Sequence, residues 1–315
     1  MSSSNAPASP RGAKAVEVAA QAKINLRLRI LAKETSGYHQ LETLFLRIDL
    51  ADTVRIRRTA GPCSLDVAGE HDPALIGTVE KNLAWRAAEA YFAASGMRGG
   101  YAIELEKRIP IGGGLGGGSA DAGAVLRALS AMDDEPMEPT ILMSLAAKLG
   151  ADVPFLAAEH PYALAWGRGE RILALAPPPP RDVLLVVPAF SVNTAEAFGW
   201  LADPAIAGAQ PRSADSIVLR PEQLSDWTSL LALANNDFEA AVAYHHPEVE
   251  GHRDLLRAQG CSMYQMSGSG STLFGIWTST TEGPPADVMT LEARSGAKYL
   301  RTRTATRVER VFVIE

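Results

Sequence analysis

Six of the seven residues from Gly112 to Gly118 are glycine, in the stretch IPIGGGLGGGSADAGAVLRAL. A glycine inside a helix or strand costs about 0.5–1 kcal/mol relative to alanine, so a run this dense needs a local reason. Its flanks supply one. YAIELEKRIP before it reads as a strand, and in ADAGAVLRALSAM after it Val125, Leu126, Leu129 and Met132 recur at helical spacing. A glycine loop between a strand and a helix start lets backbone N–H groups converge on an anion that also meets the positive helix end. The expected feature is a phosphate cradle, with Ser119 placed as the helix N-cap and able to offer its hydroxyl to a phosphate or to Mg²⁺.

Two familiar phosphate loops do not fit. The P-loop requires a lysine directly after its last glycine, and Ser119 and Ala120 stand there instead. Gly112, Gly114 and Gly117 meet the dinucleotide pattern G-x-G-x-x-G formally, as almost any stretch so rich in glycine does. The acidic residue expected about 20 residues later at the end of a second strand is missing. Asp133 and Asp134 come too early and follow a helix.

A cradle without its own lysine must draw positive charge from elsewhere. The chain has 315 residues and a net charge of −6, which disfavours nucleic acid or an anionic membrane as partner and leaves room for a local cluster such as Lys23, Arg27, Lys107 and Arg108. Its length suits two domains. Cys63 and Cys261 are far apart and lack metal spacing, as expected of free thiols in a reducing cytoplasm. No apolar run is long enough to span a bilayer, and residues 1–15 read as a disordered tail without a secretory signal.

The remaining pattern is α+β. AQAKINLRLRIL alternates, with Ala22, Ile24, Leu26, Leu28 and Ile30 on one face and Lys23, Asn25, Arg27 and Arg29 on the other. The polar connection KETSGYHQ leads to a second strand, LETLFLRIDL. NLAWRAAEAYFAASG and PTILMSLAAKLG read as helices closed by Gly96 and Gly150, followed by a turn through ADVPF and the strands YALAWG and RILALA. Four prolines, Pro177 to Pro180, mark the expected boundary between domains at 16–176 and 181–315. Beyond them come the strand VLLVVP, a helix capped by Asn193 and Glu196, a surface loop over 202–220 and two further helices. A strand–turn–strand unit around Ser267–Gly270 and a terminal strand pair finish the chain.

Taken in order, Ala22-Lys23-Ile24-Asn25, Gly37-Tyr38-His39, Ile109-Pro110-Ile111 with the glycine run, Gly150-Ala151-Asp152-Val153-Pro154 and Gly268-Ser269-Gly270 resemble the GHMP superfamily of small-molecule kinases. That superfamily includes galactokinase, homoserine kinase, mevalonate kinase and phosphomevalonate kinase. The AKIN start paired with GYH, the doubled GGGLGGGSA loop and GADVPF are similar to the branch that works on a cytidine diphosphate-linked methylerythritol in the non-mevalonate isoprenoid pathway.

The resemblance implies an amino-terminal domain like the second domain of ribosomal protein S5 and a ferredoxin-like carboxy-terminal domain, with the active site in the cleft between them. It implies transfer of the γ-phosphoryl of ATP, with Mg²⁺, to the 2-hydroxyl of the methylerythritol unit. Lys23 and Asp152 match the family's catalytic pair, Asp152 also meeting the substrate hydroxyl. Asn82 and Lys107 match positions lining the adenosine pocket, while Pro110, Gly112, Gly113, Gly114, Leu115, Gly116, Gly117, Gly118 and Ser119 match the triphosphate loop. Asn25 would touch substrate, Tyr38 would stack on cytidine and His39 would hydrogen-bond it. Thr194 and Phe198 match substrate-side positions of the second domain.

This chain departs from the family pattern at Gln21, where proline is usual, and at Ser119-Ala120-Asp121, where Ser-Ser-Asn is common. No protein ligand set for Mg²⁺ emerges, and monomer and homodimer both remain open. Tyr38 and His39 speak against a sister kinase acting on homoserine or mevalonate, and retention of Lys23 and Asp152 speaks against a nucleotide-binding regulator without activity.

Overall fold

A long two-stranded ribbon organises the molecule. In the computed structural model, which describes residues 11–69, 77–203, 206, 219–279, 282–285 and 287–315, strands β1 (Ala15–Lys33) and β2 (His39–Thr59) run antiparallel. Their register carries irregularities between Gln21 and Lys23, between Asn25 and Arg27, and between Ile30 and Ala32. β3 (Ser64–Gly69) and β4 (Gly100–Lys107) extend the sheet in the order β1-β2-β4-β3. β5 (Tyr162–Gly167) pairs with the start of β2, and β6 (Arg171–Ala174) pairs with β5.

Helices α1 (Leu83–Ser95), α2 (Gly117–Met132), α3 (Pro139–Leu149) and the short α4 (Val153–Ala157) cover this sheet. Helix α2 is the central one. Eleven of its residues are buried, and Ala120, Ala124, Val125, Leu126, Ala128, Leu129 and Met132 belong to the same apolar core as Val16, Ile24, Leu44 and Leu46 of the ribbon. Gly123 lets α2 and α4 touch, because a Cβ there would lie 2.5 Å from the Leu156 carbonyl oxygen. Asn82 caps α1 by accepting from the Ala84 N–H at 2.9 Å, and Gly96 closes it in the left-handed conformation at φ 71°.

The second half adds β7 (Asp182–Val187), α5 (Thr194–Trp200), α6 (Trp227–Leu233), β8 (Asn235–Asn236), α7 (Glu239–His245), α8 (Glu248–Ala258), β9 (Met263–Met266), β10 (Leu273–Ile276), α9 (Met289–Ser295), β11 (Lys298–Arg303) and β12 (Val311–Val313). Its four-stranded sheet is antiparallel in the order β11-β7-β10-β9. Numbered within the unit, that order is 4-1-3-2 with helices after the first and third strands, the ferredoxin-like arrangement.

Several sequence expectations change. ADVPF is not a plain turn: residues from Val153 onward form α4. The last two strands do not pair with one another, because β11 joins β7 and β12 joins β1. Sheet membership also ignores the proline boundary, since β8 and β12 both pair with β1 across the 16–176 and 181–315 division. Of the expected tail, residues 1–10 lie outside the described residues and Ala15 already begins β1. Most of the expected 202–220 loop also lies outside them. β3, α6 and α9 were not legible in the sequence pattern.

Candidate active site

The polar face of β1 is not turned to solvent. Lys23, Asn25 and Arg27 are 2%, 1% and 3% exposed, because the glycine loop and the second half of the chain fold over them. Burying an ammonium is costly unless it is paired and hydrogen-bonded. Lys23 is both: its Nζ donates to Asn25 Oδ1 at 2.8 Å and to the Gly114 carbonyl at 2.9 Å, and lies 3.3 Å from Asp152 Oδ2. Asp152 keeps 31% of its side chain open to the cleft. It occupies the N-cap position of α4 yet makes no capping bond with its side chain, so the carboxylate remains available to the cleft.

Asn25 joins the two halves. Its Oδ1 also accepts from the Gly268 N–H at 2.9 Å, and its Nδ2 donates to Thr43 Oγ1 at 2.8 Å. Ser267 Oγ donates to the Gly114 carbonyl at 3.0 Å, so the second glycine turn rests directly on the first loop.

The glycines of that loop serve different ends. A Cβ on Gly114, at φ +76°, would sit 2.1 Å from the Ser267 carbonyl oxygen, and one on Gly113 would sit 2.4 Å from Thr272 Oγ1. Those two are required by the seam between the halves. At Gly118 the nearest atom to a Cβ is Leu83 Cδ1 at 3.7 Å, so the protein itself does not demand glycine there. The N-cap of α2 is Gly116 at φ 74°, which places Ser119 inside the first turn and corrects its expected role as N-cap. Gly117 and Gly118 enter the helix because the left-handed turn at Gly116 starts it earlier than the apolar periodicity suggests.

One cleft of about 1710 Å³ is lined by all the residues that the resemblance matched to catalysis, nucleotide or substrate. Of the expected cationic cluster, Arg27 is turned to Glu42 and the Leu233 carbonyl and Arg108 to Glu106, and neither lines the cleft. Lys23, Asn25 and Asp152 line it together with Asn82, Lys107, Pro110, Gly112 to Ser119, Tyr38, His39, Thr194 and Phe198. At one end His39 stacks on Phe198, with ring centres 4.6 Å apart and planes 13° from parallel. Burial, then the neighbouring Lys33 charge, hold the His39 imidazole below its ordinary pKa. Tyr38 is 60% exposed, and the Arg168 guanidinium lies 4.1 Å from its ring centre while pairing with Glu34. Thr194 Oγ1 and Ser269 Oγ share a hydrogen bond of 2.9 Å, linking α5 to the second glycine turn.

Lys107 differs from expectation in its chemistry. It lines the cleft, but its ammonium is held in a buried cluster by Asp52 Oδ2 and by Asp121 Oδ2 at 2.6 Å. Asp52 also accepts from the Arg108 and Ile109 backbone N–H groups. Desolvation pulls the Lys107 pKa down, but the charges of Asp121 and Asp52 outweigh it and the net shift is upward. Asp52, Thr43, Arg47 and Arg168 had no signal in the sequence, since their partners lie on distant segments.

Two family models match this chain, GHMP kinases N terminal domain over residues 82–160 and GHMP kinases C terminal over residues 220–284. A 4-diphosphocytidyl-2-C-methyl-D-erythritol kinase of Pelotomaculum thermopropionicum is 39% identical over 295 residues, spanning 93% of this chain and 96% of that protein. The protein of the same name from Parvibaculum lavamentivorans is 37% identical over 282 residues, spanning 89% and 95%. The chain belongs to the 4-diphosphocytidyl-2-C-methyl-D-erythritol kinase family. A solved 4-(cytidine 5'-diphospho)-2C-methyl-D-erythritol kinase superposes with a TM-score of 0.68 at 34% identity, covering 92% of this chain and 99% of that one. The homoserine kinase of Cytophaga hutchinsonii shares the fold, with a TM-score of 0.66 at 17% identity over 96% of this chain. The resemblance carried by the short motifs is thus matched over nearly the full length of this kinase family member. Among its described residues no helix is long and apolar enough to cross a membrane.

Proposed function

We propose that this kinase transfers the γ-phosphoryl group of ATP to the 2-hydroxyl of 4-diphosphocytidyl-2-C-methyl-D-erythritol. The observation that carries this reading is the Lys23–Asp152 pair, 3.3 Å apart in a cleft that also holds the glycine loop and the Tyr38, His39 and Phe198 rings. ATP lies with its phosphates along Gly112 to Ser119, facing the start of α2, and its adenosine towards Asn82 and Lys107. The cytosine lies towards Tyr38, His39 and Phe198, an arrangement that places the acceptor hydroxyl between the two ends, beside Asp152.

Phosphoryl transfer asks a protein mainly for positioning and for neutralisation of charge. Asp152 orients the acceptor hydroxyl and takes its proton as the P–O bond forms. Lys23, fixed by Asn25 and Gly114, stabilises the developing alkoxide and the equatorial oxygens of the transferring group. Thr194 and Ser269 close the cleft from the second half.

Mg²⁺ fits this site as a companion of the nucleotide. Among the described residues no group of three or more His, Cys, Asp or Glu could hold a metal ion by itself, while Asp152 and Ser119, which carry oxygen donors, both line the cleft. That donor set suits an ion that keeps most of its coordination in phosphates and water and neutralises the phosphate charge. We place the reaction in the cytoplasm, where ATP is supplied.

The test is ATP consumption with four acceptors: the cytidylated methylerythritol, methylerythritol 4-phosphate, homoserine and mevalonate. Turnover is expected with the first alone. Turnover confined to homoserine or mevalonate removes the proposed substrate.

A further inference from the structure

Arg47 is among the most deeply buried side chains of the protein, 1% exposed, and among the described residues it has no carboxylate partner. An unpaired buried guanidinium is expensive, and its own pKa registers this: burial, then the nearby Arg127 charge, push it down to about 9. What it meets instead is backbone. Its Nη2 donates to the carbonyls of Phe155 at 2.9 Å, Leu156 at 3.0 Å and Ala158 at 2.9 Å, and its Nε donates to the His160 carbonyl at 3.2 Å.

Those carbonyls lie at and just beyond the C-terminal end of α4, which no further helical turn would satisfy. A five-residue helix has little stability of its own and takes its geometry from such tertiary anchors. The residue at the opposite end of α4 is Asp152. Its carbonyl accepts the first helical bond, from the Leu156 N–H at 3.2 Å.

The same two strands grip both ends. In the β1–β2 register Arg47 stands directly opposite Lys23. A line of rings joins them: Lys23 Nζ lies 5.5 Å from the Phe45 ring centre, Phe45 stacks on Phe155 at 5.0 Å, and the Arg47 guanidinium carbon lies 5.1 Å from the Phe155 ring centre.

We propose that Arg47 is a positioning residue for phosphoryl transfer: by fastening the C-terminal carbonyls of α4 to the ribbon, it fixes where Asp152 stands relative to Lys23. Arg47 does not line the cleft and touches no substrate, so its effect passes through Asp152. The inference rests on Asp152 being the proton acceptor.

The test uses the full-length protein with Arg47→Met and Arg47→Lys, each alone and combined with Asp152→Asn. Arg47→Met is expected to lower kcat about tenfold or more with the KM for ATP within twofold, and to speed hydrogen exchange of the backbone amides over residues 153–158. Arg47→Lys, which can reach only part of the carbonyl set, falls between Met and the parent. In the Asp152→Asn background, Arg47→Met is expected to add less than twofold. If Arg47→Met does not fold, Arg47→Lys carries the same comparisons. A folded variant with unchanged kcat overturns the inference, as does a full tenfold loss in the Asp152→Asn background, which reports a general structural effect. If Asp152→Asn alone turns over normally, the reading of the site fails and this inference with it. If Asp152→Asn is inactive and Arg47→Met is normal, only the role of Arg47 is lost.

Discussion

Asp121 accepts a hydrogen bond from the Lys107 ammonium at 2.6 Å with one oxygen and leaves the other buried and unpartnered. Lys107 serves Asp52 at the same time, so two carboxylates share one cation inside the protein. Asp52 also accepts from the Arg108 and Ile109 backbone N–H groups, whereas the free Asp121 oxygen meets no donor. Asp121 is the better place for a proton, and burial raises its pKa far above the ordinary carboxylate range, with the Lys107 charge opposing and the Asp52 charge adding to the rise. The expected adenosine-side lysine thus reaches the cleft with its charge already matched.

A pH dependence of stability follows. A carboxyl whose folded pKa lies above its unfolded value stabilises the fold fully below the unfolded pKa, and this contribution is lost as pH rises through the folded one. Asp121→Asn stays neutral throughout. Comparing thermal midpoints at pH 5 and pH 8, the variant should show a smaller drop than the parent. Equal drops in the two proteins would mean that Asp121 does not change its protonation in this range.

Asp152→Asn should leave the fold and nucleotide binding intact, because Lys23 keeps its bonds to Asn25 and Gly114. Turnover should fall by about 10²–10⁴, the range of a lost general base. Titration calorimetry should give an ATP affinity within about threefold of the parent. Near-normal turnover in this variant would remove Asp152 from the mechanism.

His39 should act at the substrate end only. With its pKa lowered by burial and by Lys33, the ring is neutral at pH 7 and free to stack on Phe198. His39→Ala is expected to raise the KM for the cytidylated substrate about tenfold, or about 1.4 kcal/mol, while that for ATP changes little. In the parent enzyme the substrate KM should stay flat from pH 8 down to the ordinary histidine pKa and rise only below it. Equal effects on both substrates would place His39 elsewhere in the reaction.

Much of this site could be read from the chain because its members sit in short segments with fixed local geometry. Lys23 and Asn25 are two residues apart on one strand face, the glycine loop is contiguous, and Asp152 lies between a helix stop and Pro154. Partners that meet only through the tertiary fold left no such trace. Asp52 and Lys107 are 55 residues apart, and Asn25 reaches Gly268 across 243. Helical periodicity could not place the true start of α2, since Gly117 and Gly118 carry no apolar side chain. The return of β12 to β1 was hidden because a three-residue edge strand has too few positions for a pattern.

The glycine run can itself be divided by experiment into residues needed by the protein and residues needed by the ligand. At Gly114, with φ +76°, alanine meets the strain of the left-handed region, about 1–2 kcal/mol, and a Cβ 2.1 Å from the Ser267 carbonyl. Gly114→Ala should therefore lower the thermal midpoint and turnover together. Gly118 is the second residue of α2, and a Cβ there meets nothing nearer than 3.7 Å. Alanine at this helical position gains about 0.5–1 kcal/mol, so the midpoint of the free protein should rise by about 1–4 °C. If the triphosphate lies against this backbone, the added methyl group stands in its way, and the KM for ATP should rise by about tenfold. A more stable Gly118→Ala protein that binds ATP as before would show that the phosphates lie elsewhere on the loop.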